Sequence, residues 1–200
     1  MRKVKLAFLL SVCIFIFGGC VAKDLPIKRK TNSANDVIKF YGFDWLTERS
    51  AIEKKLNGDF DSDYVCEENI THVNDQIDTV NVFYKGKNGT DLNWTIANHN
   101  VSQLQLFYIK SKSGKQYLYK GIWLFNHCNE EDEEYLCTKL DKLYPYTMKN
   151  KTLYIDRNNN QVSLSHTEQL KEISIDYCCT DILYQLNEEE NNHSQESNDK

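Results

Sequence analysis

"YLYKGIWLF" (residues 117–125) decides the fold. Read with period two, it sets Tyr117, Tyr119, Trp123 and Phe125 on one side and Leu118, Lys120, Ile122 and Leu124 on the other. Successive side chains of a β-strand point to opposite faces, so this alternation predicts a strand with one aromatic face. Gly121 sits mid-strand and permits a bend. The same period recurs on both sides of it. "TVNVFY" (79–84) sets Val80, Val82 and Tyr84 together, and "LQLFYI" (104–109) does so for Leu104, Leu106 and Tyr108. "LNWTIA" (92–97) places Leu92, Trp94 and Ile96 against Asn93 and Thr95. "LYID" and "VSL" flank the turn-rich "RNNNQ" (157–161) as a hairpin, and "EISIDYC" (172–178) is a last strand. "KGKNGTD" and "KSGK" supply turns between segments. Short strands at near-regular spacing predict a mainly β, antiparallel sandwich or barrel. Helices are expected at 36–42, at 48–56, at "EDEEYLCTKLDKLY" (131–144) and at "TDILYQL" (180–186).

The chain around this core divides by composition. "MRKVK" followed by the 12-residue apolar run "LAFLLSVCIFIF" has the form of a signal peptide, with small residues in "GGCVA" and cleavage expected after Ala22. The run is short for a membrane-spanning helix. The same segment also admits a bacterial lipoprotein, with "FGGC" as lipobox and Cys20 carrying the lipid. Residues 1–22 are therefore set apart, 23–35 read as a flexible leader, 36–186 as one domain, and 187–200, almost without apolar residues, as a disordered acidic tail. Removing Arg2, Lys3 and Lys5 with the signal takes the formal charge from −5 to −8. No basic patch points to nucleic acid.

Export changes the meaning of the cysteines, because disulfides persist in oxidising compartments. Five remain after residue 22: Cys66, Cys128, Cys137, Cys178 and Cys179. An odd number leaves one thiol over or makes an intermolecular bond. The adjacent pair in "DYCCTD" (176–181) cannot bond to itself without strain, so it reads as one strand stapled to two other parts of the fold. Asn69, Asn88, Asn93, Asn100, Asn150 and Asn192 each open an Asn-X-Ser/Thr sequon. In a eukaryotic secreted chain the first five are expected to carry glycan on exposed positions. An asparagine-rich composition is the other explanation.

The order of these features is similar to the tick salivary lipocalins. "VNVFYKGKNGTDLNWT" resembles a strand-and-turn segment of that family. "YLYKGIWLFNHC" resembles the strand that ends at its His-Cys position, and "KEISIDYCCTDILYQL" its last strand, double cysteine and helix. The resemblance covers part of residues 79–186 and rests on order and spacing, not on one motif. It implies a lipocalin-like antiparallel barrel with a short N-terminal and a C-terminal helix. It also implies that Cys128 pairs with one of Cys178 and Cys179, with Cys66 taking the other. A rival bond from Cys128 to Cys137 stays open. Where the amine-binding branch has a Cys-Asp start and a Glu-Leu-Trp strand, this chain has "CNEE" (128–131) and "TLYID" (152–156).

Binding rather than catalysis is expected. A small barrel can hold one ligand among its inward side chains. If Asn93 is exposed, Trp94 points inward. By the same alternation Tyr108, Tyr117, Tyr119, Trp123 and Phe125 form a ligand-facing wall, with His127 as a polar partner at the mouth; ordinary core is the competing account of such a stripe. No hydrolase elbow, zincin, P-loop or dinucleotide motif occurs, and the histidines show no metal-ligand spacing. "NEEDEE" (129–134) lacks the glycine and ligand spacing of an EF-hand and reads as a solvated helix start, and "DRNNN" (156–160) reads as a turn. Neither cofactor nor metal is expected. The predicted function is a secreted protein sequestering a small host mediator, a biogenic amine or a lipid such as an eicosanoid, with a host protein as a second class of partner. The alternative is a lipoprotein held at the membrane by Cys20, with a structural or immunity-type binding role.

Overall fold

The computed structural model describes residues 37–60, 63–74, 77–111, 113–145 and 152–184. Asn150, Asn192, the signal segment, the leader and the tail lie outside the described residues. Seven strands form one antiparallel sheet. In chain order its members are β1 (Tyr64–Asn74), β2 (Ile77–Gly86), β5 (Gln103–Lys110), β6 (Gln116–Phe125), β7 (Leu153–Ile155), β8 (Gln161–Thr167) and β9 (Glu172–Cys178). A two-residue hairpin, β3 (Thr95–Ile96) with β4 (His99–Asn100), stands apart between β2 and β5. The spatial order is β1-β2-β5-β6-β9-β8-β7. The first four strands meander. The chain then leaves through α2 (Glu130–Leu143) and returns so that its last strand, β9, lies beside β6. β1 and β7 are the two edges, and among the described residues no hydrogen bonds join them, so these residues form an open sheet and no closed barrel.

Alternation puts the apolar residues of each strand in registered rows on one face. One row runs Tyr84, Leu104, Trp123, Ile175, Leu164, and the next runs Val82, Leu106, Gly121, Tyr177, Val162, Tyr154. All but Gly121 belong to the main buried cluster. The face is covered by residues 38–60, by the loop at 92–101 and by α2. α1 (Arg49–Asp59) contributes Ile52 and Leu56, and α2 contributes Leu136 and Leu140. Asn129 caps α2 with a reciprocal capping box to Asp132, and Glu130, Glu131 and Glu133 sit in the first turn, where the positive end of the helix dipole favours them. That accounts for "NEEDEE". His99 Nε2 meets Asp132 at 3.0 Å and His166 Nδ1 meets Glu133 at 2.8 Å, docking the helix start onto the small hairpin and onto β8.

Several expectations are corrected. Residues 37–48 are not a helix but turns and extended chain, with Tyr41 and Leu46 at positive φ. Their hydrogen bonds go elsewhere. Leu46 N–H donates to Leu118 O and Leu118 N–H to Thr47 O, so this segment takes the position beside β6 that β9 has already left. Trp45 Nε1 donates to Ile38 O at 3.0 Å. The stretch 92–97 is mostly loop, with only Thr95 and Ile96 in a strand. β1 has no counterpart in the sequence expectation, because "YVCEENITHVN" carries no apolar alternation. The turn at "DRNNN" is real. Asp156, 3 % exposed, accepts from the backbone of Ile38, Asn158 and Asn160 and from the Asn160 side chain. Both carboxylate oxygens are thus committed to N–H donors, tying the entry of the domain to the β7–β8 turn.

Gly121 explains how the covering segment fits. A Cβ there would stand 2.4 Å from the Phe40 ring, which is itself fully buried. Phe40 stacks on Trp123 at 5.4 Å and meets Tyr177 edge-on at 5.6 Å, so its ring has nowhere to move. Gly121→Ala should lower stability by about 1–3 kcal/mol through overpacking. Urea unfolding of the variant measures this, and an unchanged midpoint would mean Phe40 relocates freely.

Candidate functional site

The residues expected to line a ligand cavity are divided by the sheet. Trp94, Tyr108, Trp123 and Phe125 are all on the core side, between 0 % and 3 % exposed. They do not surround a space. Phe60 stacks on Trp94 at 4.6 Å, Trp94 lies edge-on to Trp123 at 6.5 Å, and Phe40 stacks on the other side of Trp123. The aromatic wall is packed interior. Tyr119 falls on the opposite face, because a register shift between Phe107 and Tyr108 lets one residue of β6 slip. It packs with Phe107 at 6.3 Å in a second cluster that includes Val73, Ile182 and Leu183. Tyr117, half-buried, is opposite Ile109 of that same outer cluster. His127 is exposed, at φ 60° between β6 and α2. The bulge is what strict period-two reading misses: it inverts the phase partway along the strand.

The cysteines are likewise separated, and all five described ones are free thiols. Cys66 lies on β1, with β2, β5 and β6 between it and β9. The Cys128 N–H donates to Lys171 O, at the start of β9, whereas Cys178 and Cys179 are at its far end. At about 3.3 Å per residue these ends are roughly 20 Å apart, whereas a disulfide needs Cα atoms within about 7 Å. Cys137 is on α2, some turns beyond Cys128, and its carbonyl accepts from Tyr154. The expected ties from the double cysteine to Cys128 and Cys66, and the rival Cys128–Cys137 bond, are not made. Burial instead pushes the Cys178 thiol up to about 12. A shorter tie holds the last strand: Cys179 N–H donates to Tyr119 O at 2.9 Å, and helical residues begin at Thr180.

The polar feature that does converge is one the sequence did not flag. Arg49, at the start of α1, donates from Nε to Glu53 at 2.6 Å, from Nη1 to Gln116 at 2.9 Å and from Nη2 to Glu68 at 2.6 Å. Its guanidinium lies 5.7 Å from the centre of the Tyr108 ring. Burial opposes its charge, but hydrogen bonds to Glu68 and Glu53 outweigh that and keep it firmly protonated. Tyr84 OH reaches Glu53 at 3.3 Å, and the fully buried Tyr108 hydroxyl lies next to Tyr84. Burial raises both phenols far above the ordinary tyrosine value. Beside this network, between the first turn of α1 and the β5–β6 turn at 113–116, is an open cleft of about 430 Å³. Lys115 meets Glu48 at its rim at 3.3 Å. A nucleophile paired with a base is not among these groups. The cleft offers fixed charge and hydrogen bonds of both signs, suited to holding a polar partner. Only the i, i+4 spacing of Arg49 and Glu53 was visible in the sequence; Glu68 and Gln116 arrive through tertiary structure.

Among the described residues no group of three or more His, Cys, Asp or Glu could hold a metal ion, and no helix is long and apolar enough to cross a membrane. No family model, curated protein or solved structure matches this chain.

Two outcomes follow from this geometry. Trp123→Ala should cost about 3–5 kcal/mol of unfolding free energy, the loss expected of a packed tryptophan. A folded variant of near-native stability would show an open pocket instead. The second concerns Glu68, whose hydrogen bond from Arg49 lowers its carboxyl below the usual value. A depressed folded value stabilises above the unfolded pKa and stops doing so as pH falls through the folded one. The stability gap between the native chain and Glu68→Gln should therefore be widest near neutrality and close in acid. Thermal melts across pH test this, and a gap independent of pH would remove the Arg49–Glu68 pair as its cause.

Proposed function

We propose that this chain is a non-enzymatic, extracytoplasmic binding protein, held at a bacterial membrane surface by lipid on Cys20, which meets its partner at its own surface rather than by enclosing it. One observation carries the reading: Trp94 and Trp123, stacked with Phe60 and Phe40, fill the interior that a cavity binder would keep open. Apolar ligand sites are concave and bury most of their ligand. The Arg49 cleft is open and polar, and suits a side chain or headgroup of a larger partner better than an enclosed mediator. The lipobox-like "FGGC" supports the tether. The free thiols support it indirectly, since they remove the disulfide framework on which a secreted-lipocalin reading leans.

A second reading keeps one observation in its favour. Asn69, Asn88, Asn93 and Asn100 are all exposed, as glycan acceptors must be. On that reading the chain is a secreted, lipocalin-like glycoprotein that closes into a barrel and sequesters an amine or lipid mediator, with a host protein as a further partner. Metabolic labelling with a fatty acid analogue separates the two. Label should enter the native chain and vanish in Cys20→Ala. An unlabelled chain of glycosidase-sensitive mass, binding one amine or eicosanoid in native mass spectrometry, would overturn the first reading and favour the second.

A further inference from the structure

We infer that His99 is a proton-operated latch between the β3–β4 hairpin and the start of α2, closed when the imidazole is charged and half released when it is neutral. Its Nδ1 lies 2.9 Å from Ala97 O and its Nε2 lies 3.0 Å from Asp132 Oδ1. One neighbour is a backbone carbonyl and the other a carboxylate, so both are acceptors with no proton to give. A neutral imidazole carries one N–H and can satisfy only one of them, turning a lone pair toward the other; the imidazolium has two N–H groups and satisfies both. A charged donor to a carboxylate also makes the stronger bond. The carboxylate is set in place for this role. Asp132 Oδ2 accepts the Asn129 N–H at 2.8 Å in the capping box, which leaves Oδ1 for the ring. That backbone bond, and then the contact with His99, hold the Asp132 carboxyl below its usual value, so it stays charged across the range in which imidazoles ordinarily titrate.

Three elements pack around the ring. α2 presents Asp132 and the Tyr135 ring, 5.4 Å from the imidazole centre, and β6 presents the apolar Phe125 ring at 6.1 Å. From β8 comes the second imidazole at this helix start, His166, against Glu133 at 2.8 Å. The positive end of the helix dipole opposes a cation here, and four acids of the first turn, Glu130, Glu131, Asp132 and Glu133, stand against it. Lys139 sits over the far partner, the Tyr135 ring, at 4.9 Å. The latch matters because of what the hairpin carries. Its turn residues Ala97 and Asn98 have φ 49° and 66°, a conformation unfavourable for alanine, and Ala97 O is the group that His99 ties down. The hairpin pairs only Thr95 with Asn100 and Ile96 with His99, and the Val101 N–H closes its base on Trp94 O at 2.9 Å. It therefore leans on α2, through His99 and through Asn98 Nδ2, which donates to the Tyr135 hydroxyl at 2.9 Å. The second bond involves no imidazole, so loss of the proton loosens the hairpin without undocking it. Trp94, at the hairpin's base, stacks on Phe60, and the loosening reaches the cover of the core.

The test compares the processed chain with His99→Gln, which keeps a polar side chain of similar reach and does not titrate. The native chain should melt above the variant, and the difference should widen by roughly 4 °C as pH falls from about 8 to about 5.5, because the native fold holds a proton that the variant cannot. A contact that is merely structural gives the same difference at both pH values; that result, or a narrowing in acid, overturns the latch. Should the variant fail to fold, the native chain alone decides. At about pH 5.5, nitrogen-edited NMR should show both His99 ring N–H protons in hydrogen bonds. At about pH 8 one of them should be gone, and the hydrogen-exchange protection factor of the Val101 amide should fall by about tenfold, the order expected for one hydrogen bond to a charged group. A ring whose N–H count is the same at both pH values, or Val101 protection that does not change, would equally sink the proposal. Neither readout depends on whether Cys20 carries lipid.

Discussion

Phe40 reaches the middle of the sheet because position 121 has no side chain. Gly121 stands in a row otherwise filled by Val82, Leu106, Tyr177 and Val162, and the missing Cβ is the gap into which the Phe40 ring descends. Once that ring is seated, Trp123 and Tyr177 close around it, and Tyr41 and Phe60 follow from the same covering segment. The loop at 92–101 completes the stack by delivering Trp94 to Phe60. A half-open sheet with one covered face needs a lid. This lid is held by interlocking aromatic rings whose edge-to-face and offset contacts add to their burial.

Polar ties decide where the lid begins and ends. At its entry the Asp156 carboxylate accepts the Ile38 N–H from across the fold, and near its exit Arg49 binds Glu68 on β1 and Gln116 on β6. Both are partly or wholly removed from water, where an unpaired charge would be costly, so each works as a position lock rather than as surface decoration. The same arrangement leaves the Arg49 cleft, where fixed charges of both signs converge. It also brings Glu68 to the open edge without leaving it unpaired.

The open edge at β1 and the free thiols share a cause. β9 returns beside β6 rather than beside β1, so the sheet cannot close through its last strand, and the double cysteine is carried away from Cys66. A meander of the lipocalin kind would have placed the last strand at the end of the sequence of neighbours. The excursion through α2 between β6 and β7 is what changes the order, and no local pattern in residues 126–152 announces where the chain will rejoin the sheet.

Period-two alternation in "TVNVFY", "LQLFYI", "YLYKGIWLF" and "EISIDYC" was enough to place four central strands, because each has one face buried and the chemistry of a half-buried strand is local. The acid-rich start of α2 and the Asp156 turn were legible for the same reason, since caps and turns are built from neighbours. β1 was not legible. It lies at an edge with its core-facing positions occupied by Cys66, Glu68 and Ile70, and burial imposes no pattern on it. Nor was the fate of the aromatic stripe. A single bulge turned Tyr119 to the other face, and rings from distant segments filled the volume beside Trp123. The sequence by itself determined the central strands and which side of most of them is apolar. Strand order, the free thiols, the Arg49 network and the difference between a pocket and a packed core belonged to the tertiary structure, because each depends on which distant segment arrives at a given face, and alternation along one strand carries no record of that.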